Sequence, residues 1–174
     1  PAMKDGKLLG FQLWINMPAK FKKNKPEYLY IKGNELGTYK DNDKIVKVIA
    51  GKYESAEGPE KNHNVEPIYF HIFLNEGKEF KYDAPEGHNS FIYLLKGELK
   101  IGDKGHSKTS DSNLILLERG NKLTVKAQKK SEFLFIAGKP IGEPIARGGP
   151  FVMNTKAEIL EAIQDYNNGK FAKY

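Results

Sequence analysis

Four histidines, His63, His71, His88 and His106, are the side chains of this 174-residue sequence best suited to chemistry. Metal sites built from imidazole need several such ligands, often with a carboxylate, converging on one ion. No two of these histidines are separated by a single residue, so the sequence contains no His-x-His pair. We therefore predict no metal ligand and no catalytic residue in this chain.

The surroundings of each histidine favour a structural role. His63 lies in a polar loop and His106 in a turn rich in glycine and lysine, so both are predicted to face solvent. His71 alternates with apolar residues and is predicted to be buried, with its ring bonded to a backbone carbonyl. His88 follows Gly87 just before an apolar run, where it would stabilise a turn.

A small pocket inside a β-barrel is the alternative to these structural roles. Four residues could line it: His71, His88, Tyr93 and Glu98. Imidazole and phenol groups would then hydrogen-bond a small polar ligand. No nucleophile motif of the Gly-x-Ser-x-Gly type, no phosphate-binding loop and no acid–base pair is present. Trp14 is predicted to be a packing residue rather than a stacking platform.

Most of the chain is predicted to form short strands separated by turns. Phe11, Leu13, Ile15 and Met17 alternate with other residues, a pattern typical of a strand with one buried face. Gly97 is predicted to end one strand. The further predicted strands cover residues 44–53, 68–74, 91–95, 99–102, 114–117, 122–125 and 132–137. Regular strand spacing with glycine-rich turns indicates an antiparallel sandwich or barrel.

One strong helix is predicted near the end of the sequence. Thr155 and Glu158 have the spacing of a capping box, in which each side chain bonds the other's backbone N–H. An apolar stripe follows and requires a partner surface; it contains Ile159, Leu160, Ile163 and Tyr166. Asn168-Gly169 is predicted to end the helix.

Composition excludes several classes of protein. The net charge is +6 and the pI is about 9.2, yet all but two of the 28 basic residues are lysines, which read phosphate and bases less well than arginines. Direct nucleic-acid binding is therefore not favoured, and the cluster at residues 20–25 is predicted to be a solvated loop. There is no cysteine and no apolar run of the roughly 20 residues that a membrane span needs. We predict a cytoplasmic protein, or a nuclear one in a eukaryote.

Three stretches resemble the pirin family, two-domain cupin proteins that bind one metal ion. Gly10-Phe11-Gln12-Leu13-Trp14-Ile15-Asn16-Met17-Pro18-Ala19-Lys20 is similar to the junction of the two cupins. Residues 85–93 with Gly97-Glu98 resemble a hairpin of the C-terminal cupin. Residues 137–145, leading into Gly149-Pro150-Phe151-Val152-Met153-Asn154-Thr155, resemble the C-terminal signature.

The resemblance implies an all-β fold: a cupin barrel, that is a double-stranded β-helix or jelly roll, with a C-terminal α-helix. It divides the chain into a strand left from the N-terminal cupin (1–18), a linker and domain entry (19–43), the C-terminal cupin barrel (44–149) and a C-terminal segment with the helix (150–174). We expect Pro1 and Ala2, before Met3, to be a cloning remnant.

The family's metal ligands, three His and one Glu, come from the N-terminal cupin, and no position here matches them. Iron and quercetin-dioxygenase-like activity are therefore expected of the full-length family, with no cofactor and no activity in this chain alone. The chain is interpreted as the non-catalytic structural or interaction half of an iron-binding dioxygenase or redox-linked regulator. A stand-alone cupin module that binds a protein or a small polar ligand is the alternative.

Partner predictions follow from the resemblance and from the two apolar terminal elements. An apolar strand without its sheet is a template for association. We predict either a homo-oligomer, formed by exchange of the N-terminal strand or the C-terminal helix, or binding to a missing N-terminal cupin half. A regulatory protein partner is a further expectation, and no membrane is involved.

Overall fold

The computed structural model describes residue 6 and residues 10–60, 64–102, 107–109 and 112–171. These residues form twelve strands, one 3₁₀ turn and one α-helix. The strands are β1 (Gly37–Lys40), β2 (Lys44–Ala50), β3 (Lys52–Tyr53), β4 (Ala56–Glu57), β5 (Ile68–Leu74), β6 (Glu79–Asp83), β7 (Asn89–Ile101), β8 (Ser107–Thr109), β9 (Asn113–Leu116), β10 (Lys122–Gly138), β11 (Ala146–Gly148) and β12 (Phe151–Met153). The 3₁₀ turn is Ala19–Phe21 and the helix α1 is Lys156–Asn167.

Eight strands form one antiparallel sheet in the order β1-β2-β5-β10-β7-β8, with β6 also paired to β10 and β9 to β7. The long strand β10 pairs with β6 through Lys122–Lys126 and with β5 through Ser131–Ala137. Between Ala127 and Phe133 its register against β7 shifts three times. Shifts of this kind are β-bulges, which bend a strand and let it change neighbours. β10 therefore joins the two halves of the sheet.

The prediction that Gly97 ends a strand is wrong. β7 continues through Gly97, which has a φ of +99°, and runs on to Ile101. A Cβ at Gly97 would lie 2.4 Å from Ser131 Oγ and 2.6 Å from the Lys130 carbonyl oxygen. The glycine therefore bends the strand where β10 passes very close to it.

The core lies on one face of this sheet and alternates along each strand as period-two patterning predicts. In β5, Ile68, Phe70, Ile72 and Leu74 are buried, while the intervening residues are half-buried. The Tyr53 ring lies 5.2 Å from Phe80 and 5.8 Å from Phe70, measured between ring centroids. The predicted strand at 68–74 is confirmed.

Residues 19–43, predicted to be a linker and domain entry, also contain strand β1. β1 and β2 form a hairpin in which Gly37–Lys40 pairs with residues 45–48. Asp41 closes it by accepting hydrogen bonds of 2.8 Å from the backbone N–H groups of Asp43 and Lys44. This use of an Asp side chain to hold a turn is why the polar stretch supports a strand.

Residues 10–18 belong to none of the strands that the structure describes, so the predicted strand over Phe11–Met17 is wrong for this chain. Phe11, Trp14, Ile15 and Met17 are all substantially exposed. Alternation of apolar residues signals the tendency to form a strand, but a strand also needs a neighbour for its backbone groups.

The chain divides into two compact units, which differ from the four segments predicted from the sequence. Unit 2 is Glu27–Gly142 and contains the eight-stranded sheet. Unit 1 consists of Pro1–Pro26 and Glu143–Tyr174. No helix in the described part of the chain has the length and apolar character needed to span a membrane.

Unit 1 contains the β11–β12 hairpin and α1. The predicted capping box is confirmed: the Thr155 side chain accepts from the Glu158 N–H, and Glu158 Oε2 accepts from the Thr155 N–H at 2.7 Å. Ile159 is buried, and its side chain approaches Gly148 so closely that a Cβ there would lie 2.5 Å from Ile159 Cγ2. Gly148 therefore allows the helix to pack directly on β11.

Candidate functional site

His71 lies on the half-buried face of β5, opposite the core, rather than inside the core. Its Nε2 is 2.8 Å from Glu132 Oε1, and the two side chains are 26% and 31% exposed. Glu132 stands on β10 diagonally across from His71, since His71 pairs with Leu134 and Phe73 pairs with Glu132. The predicted bond to a backbone carbonyl is wrong because a carboxylate on the neighbouring strand takes that place.

Tyr93 lies on the same face of the sheet as His71. Both residues pair with Leu134, His71 from β5 and Tyr93 from β7. Two strand spacings separate them, about 10 Å between their Cα atoms. The imidazole and the phenol are thus neighbours across β10, on the face that points away from the core.

His88 stabilises a turn, as predicted, and its side chain is buried. The ring Nε2 of His88 lies 3.3 Å from the Glu66 carbonyl oxygen. The backbone N–H of His88 donates to the Pro85 carbonyl oxygen. Nδ1 is buried and has no hydrogen-bond partner among the described residues. Glu66 has a φ of +47°, so His88 holds a chain segment in an uncommon backbone conformation.

Glu98 lies beside the bend in β7. Its carboxylate forms an ion pair with Lys129 at 3.2 Å. Its backbone N–H donates to the Ser131 hydroxyl at 3.1 Å. Ser131 is buried, and its hydroxyl also contacts the carbonyl oxygen of Lys129 at 2.7 Å. Glu98 therefore belongs to the contact between β7 and β10 that fixes the bend.

The four predicted pocket residues thus lie at three different places in unit 2. His71 and Tyr93 share one face of the sheet, His88 bonds a loop carbonyl, and Glu98 pairs with a lysine at the bend. A common pocket lined by all four stays a prediction that these positions do not support. The Glu132 carboxylate orients the His71 imidazole. The ring that packs beside this imidazole is that of Phe73, 4.5 Å away between centroids, which is not a nucleophile.

An iron centre of the kind expected from the resemblance needs three imidazoles and a carboxylate. The structure describes two histidines, His71 and His88, and each uses Nε2 for another contact. Within the described residues, no group of three or more potential ligands is placed to hold a metal ion. His63 and His106 lie outside the described residues. The side chains that are described do not fit this centre, and we assign no step to iron in this chain.

A cavity in unit 1 was not predicted. Its volume is about 420 Å³, and its walls come from residues near Trp14, from β12, from α1 and from the segment after the helix. Trp14, predicted to be a packing residue, lines this cavity and is 65% exposed. The signal in the sequence was the apolar stretch around Trp14, which we interpreted as one strand of a sheet.

Lysines of the predicted solvated loop also reach this cavity. Lys22 is half-buried, and its ammonium group donates to Asn16 Oδ1 at 2.6 Å and to the Val152 carbonyl at 3.0 Å. Lys23 forms an ion pair with Glu161 at 2.7 Å, and the hydrogen bond to that carboxylate raises the pKa of Lys23. At these two positions the lysines contribute to the structure of unit 1 rather than facing bulk water alone.

Comparison with known proteins identifies relatives of this chain. The profile of the Pirin C-terminal cupin domain matches residues 69–172. A Pirin-like protein of Caulobacter vibrioides is 31% identical over 173 residues, which are 98% of this chain and 62% of that protein. Human Pirin is 35% identical over 165 residues, 92% of this chain and 56% of that protein. The chain thus spans less than two thirds of the length of these relatives.

The crystal structure of a quercetin 2,3-dioxygenase from Acinetobacter baumannii has a similar fold. It superimposes with a TM-score of 0.81 at 32% identity, covering 91% of this chain and 55% of that one. The predicted cupin fold, rich in β-structure and with one C-terminal helix, is confirmed.

Proposed function

This chain belongs to the pirin family, and we propose that it acts as the C-terminal cupin half of a pirin-type protein. In this role it supplies structure and an interaction surface to an iron-binding dioxygenase or redox-linked regulator, while the metal chemistry belongs to the N-terminal cupin. The similarity to a quercetin 2,3-dioxygenase supports a dioxygenase-like chemistry for the complete protein.

The placement of the polar residues carries this proposal. The side chains best suited to ligation or proton transfer are engaged in contacts within unit 2. His71 bonds Glu132, His88 bonds the Glu66 carbonyl, and Glu98 bonds Lys129. Unit 2 is therefore suited to support a partner domain.

The exposed apolar residues of unit 1 support the interaction role. Large side chains in the N-terminal segment and in α1 are open to solvent, although apolar groups of this size favour burial. These are Phe11, Trp14, Ile15, Met17, Leu160, Ile163 and Tyr166. A surface of this kind is typical of a site where another protein binds.

The proposal is tested by mixing this chain with the separately purified N-terminal cupin half of a pirin-type relative. Size-exclusion chromatography with light scattering should show a one-to-one complex. Quercetin-dependent oxygen consumption should require the N-terminal half and should be absent with this chain alone. No complex, or full activity of this chain alone, would overturn the proposal.

Self-association is the second candidate role, and the same exposed surface favours it. A copy of the chain would then cover the apolar residues that we assign to the N-terminal half, by exchange of the N-terminal segment or of α1. Light scattering of the chain alone at high concentration distinguishes self-association from binding to an N-terminal half, because a clean monomer would exclude self-association. A regulatory protein partner stays a further proposal for this surface.

A further inference from the structure

The cavity in unit 1 has the size and walls of a small-molecule site. Its volume of about 420 Å³ falls in the range of roughly 300–1,000 Å³ that is usual for ligand pockets. The apolar part of its lining includes five aromatic and sulfur-containing side chains: Trp14, Met17, Phe151, Met153 and Phe171. Such walls favour a flat aromatic ring, which can stack on indole and phenyl groups.

Lys22 provides a cation at the wall of this cavity. Its ammonium group is held by two neutral acceptors, Asn16 Oδ1 and the Val152 carbonyl oxygen. An ammonium group has three N–H donors, so one donor remains available. No carboxylate of the described chain lies within ion-pair distance of Lys22. A half-buried ammonium with neutral partners attracts an anion, because charge-assisted hydrogen bonds are stronger than neutral ones.

Asp165 provides an acceptor at the same cavity. It is half-buried near the C-terminal end of α1, and its carboxylate has no hydrogen-bond donor among the described residues. The last turn of α1 contains no basic residue. Because the C-terminal end of a helix carries partial negative charge, a carboxylate there gains from any donor that approaches it.

The remaining carboxylates of the lining are already compensated. Glu161 forms its ion pair with Lys23. Glu158 accepts from Thr155 N–H, Thr155 Oγ1 and Asn154 N–H at 2.7–3.1 Å. Lys170, which is exposed, adds a further cation to the lining. Lys23 also interacts electrostatically with Asp165, but its direct ion pair is with Glu161. Among the described residues of the lining, Lys22 and Asp165 are therefore the half-buried charges without a direct ion-pair partner.

We propose that this cavity binds a small aromatic acid that carries a hydroxyl or amino donor on its ring. The carboxylate would lie at Lys22, the ring against Trp14 and Phe171, and the donor would point to Asp165. A purely apolar ligand would leave both charges unsatisfied. A phosphate group fits less well, since the lining carries three carboxylates and no arginine. The site lies in unit 1. Trp14 and Met17 also belong to the surface that we assign above to the N-terminal half, so ligand and partner would compete for them, and the site is tested on this chain alone.

The chain contains its own reporter for this site. Trp14 is the only tryptophan in the sequence, so one indole N–H signal is expected in a ¹⁵N–¹H correlation spectrum. The probe is 4-hydroxyphenylacetate. Phenylacetate lacks the donor, and 4-hydroxyphenylacetamide lacks the anion, so each removes one of the two polar contacts while leaving the protein unchanged. We expect 4-hydroxyphenylacetate to change the chemical shift of the Trp14 indole N–H in a saturable way. Each of the other two compounds should bind about tenfold more weakly.

Two variants assign these losses to the two residues. Lys22→Met should weaken binding of 4-hydroxyphenylacetate about tenfold but leave binding of the amide unchanged. Asp165→Asn should weaken binding of 4-hydroxyphenylacetate while leaving that of phenylacetate unchanged. Lys20→Met is the matched control, since Lys20 is exposed and is not part of the lining.

Equal binding of all three compounds, or no movement of the Trp14 signal with any of them, would overturn the proposal. Equal loss in Lys20→Met and Lys22→Met would do the same, because the effect would then reflect net charge alone. If Lys22→Met fails to fold, the three compounds compared on the unmodified chain still decide.

Discussion

Gly97 and Ser131 together fix the bend at which β7 and β10 cross from one part of the sheet to the other. Gly97 has a φ of +99°, a conformation that residues with a Cβ rarely adopt. The buried hydroxyl of Ser131 occupies the space where that Cβ would lie. Two small residues on adjacent strands thus allow a close approach that larger ones would prevent.

Gly97→Ala should therefore lower the free energy of unfolding by about 2 kcal/mol or more, because it adds a steric clash to the backbone strain. Urea denaturation followed by circular dichroism measures this. Gly77→Ala is the matched control: Gly77 also has a positive φ, +74°, but has nothing within 4 Å of its Cβ position. An equal loss in both variants would mean that contact with Ser131 contributes nothing.

The histidines show what a single sequence can predict at this scale. The role of His88 in a turn followed from its place after Gly87 and before a strand, whereas its burial was not predicted. The partner of His71 could not be predicted, because Glu132 is 61 positions away and reaches His71 only through the pairing of β5 with β10. Local alternation gives the face of a strand, whereas the contacts on that face depend on which strands become neighbours.

Among the elements, the β1–β2 hairpin depends on one carboxylate. Burial opposes ionisation of Asp41, yet hydrogen bonds from the backbone of Asp43 and Lys44, with the Lys44 ammonium and the Tyr39 hydroxyl, hold its pKa at about 2. A depressed pKa means that the ionised carboxylate stabilises the folded state. This contribution is present above the unfolded pKa of about 4 and is lost as the pH falls through about 2.

Asp41→Asn should destabilise the chain by about 1–2 kcal/mol at neutral pH, since it removes charge-assisted hydrogen bonds. The difference in free energy of unfolding between Asp41→Asn and the unmodified chain should shrink between about pH 4 and pH 2, where the native carboxylate becomes protonated. Urea midpoints at several pH values measure it. Asp43→Asn, which affects only the exposed ion pair with Lys78, is the control and should cost little. A difference that stays constant over this range would contradict the assignment.

The sequence predicted the short, strongly alternating elements well and the long bent ones poorly. β5 and the helix cap were found from alternation and from Thr155 with Glu158. β10 was predicted as two strands because residues 128–131 are mostly polar. In the structure this polar stretch is the bulged region where β10 changes neighbours: Lys129 pairs with Glu98 of β7, and Ser131 pairs with Leu74 of β5. A polar run inside a strand is indistinguishable from a turn until the partner strand is known.

At the scale of the whole molecule, unit 1 brings together the two ends of the sequence. Ala19 N–H and Asn154 Nδ2 both donate to Glu143 Oε2, at 2.8 and 2.9 Å, so one carboxylate links the N-terminal segment to the segment before α1. Sequence analysis placed these ends in separate segments, because local patterns carry no information about contacts between residues more than 100 positions apart. The cavity and the exposed apolar surface of unit 1 both arise from this arrangement.

The exposed face of α1 should contribute to association of the chain. Leu160 is 69% exposed, and Leu160→Glu should weaken self-association, or binding to an N-terminal cupin half, about tenfold, since a charge would replace an apolar contact. Sedimentation velocity over a concentration series measures it. Leu116→Glu is the matched control, because Leu116 on β9 of unit 2 is similarly exposed. Equal weakening by both variants would show that the effect is not specific to α1.

The central claim is that this pirin-family chain supports a partner domain and does not itself hold the metal. The measurement that tests it most directly is the iron content of the purified chain after anaerobic loading with Fe(II) and removal of free metal. We expect far less than one iron per chain, with no change in His71→Ala or His88→Ala. One tightly bound iron per chain, lost in either variant, would contradict the account and place the metal chemistry in this chain.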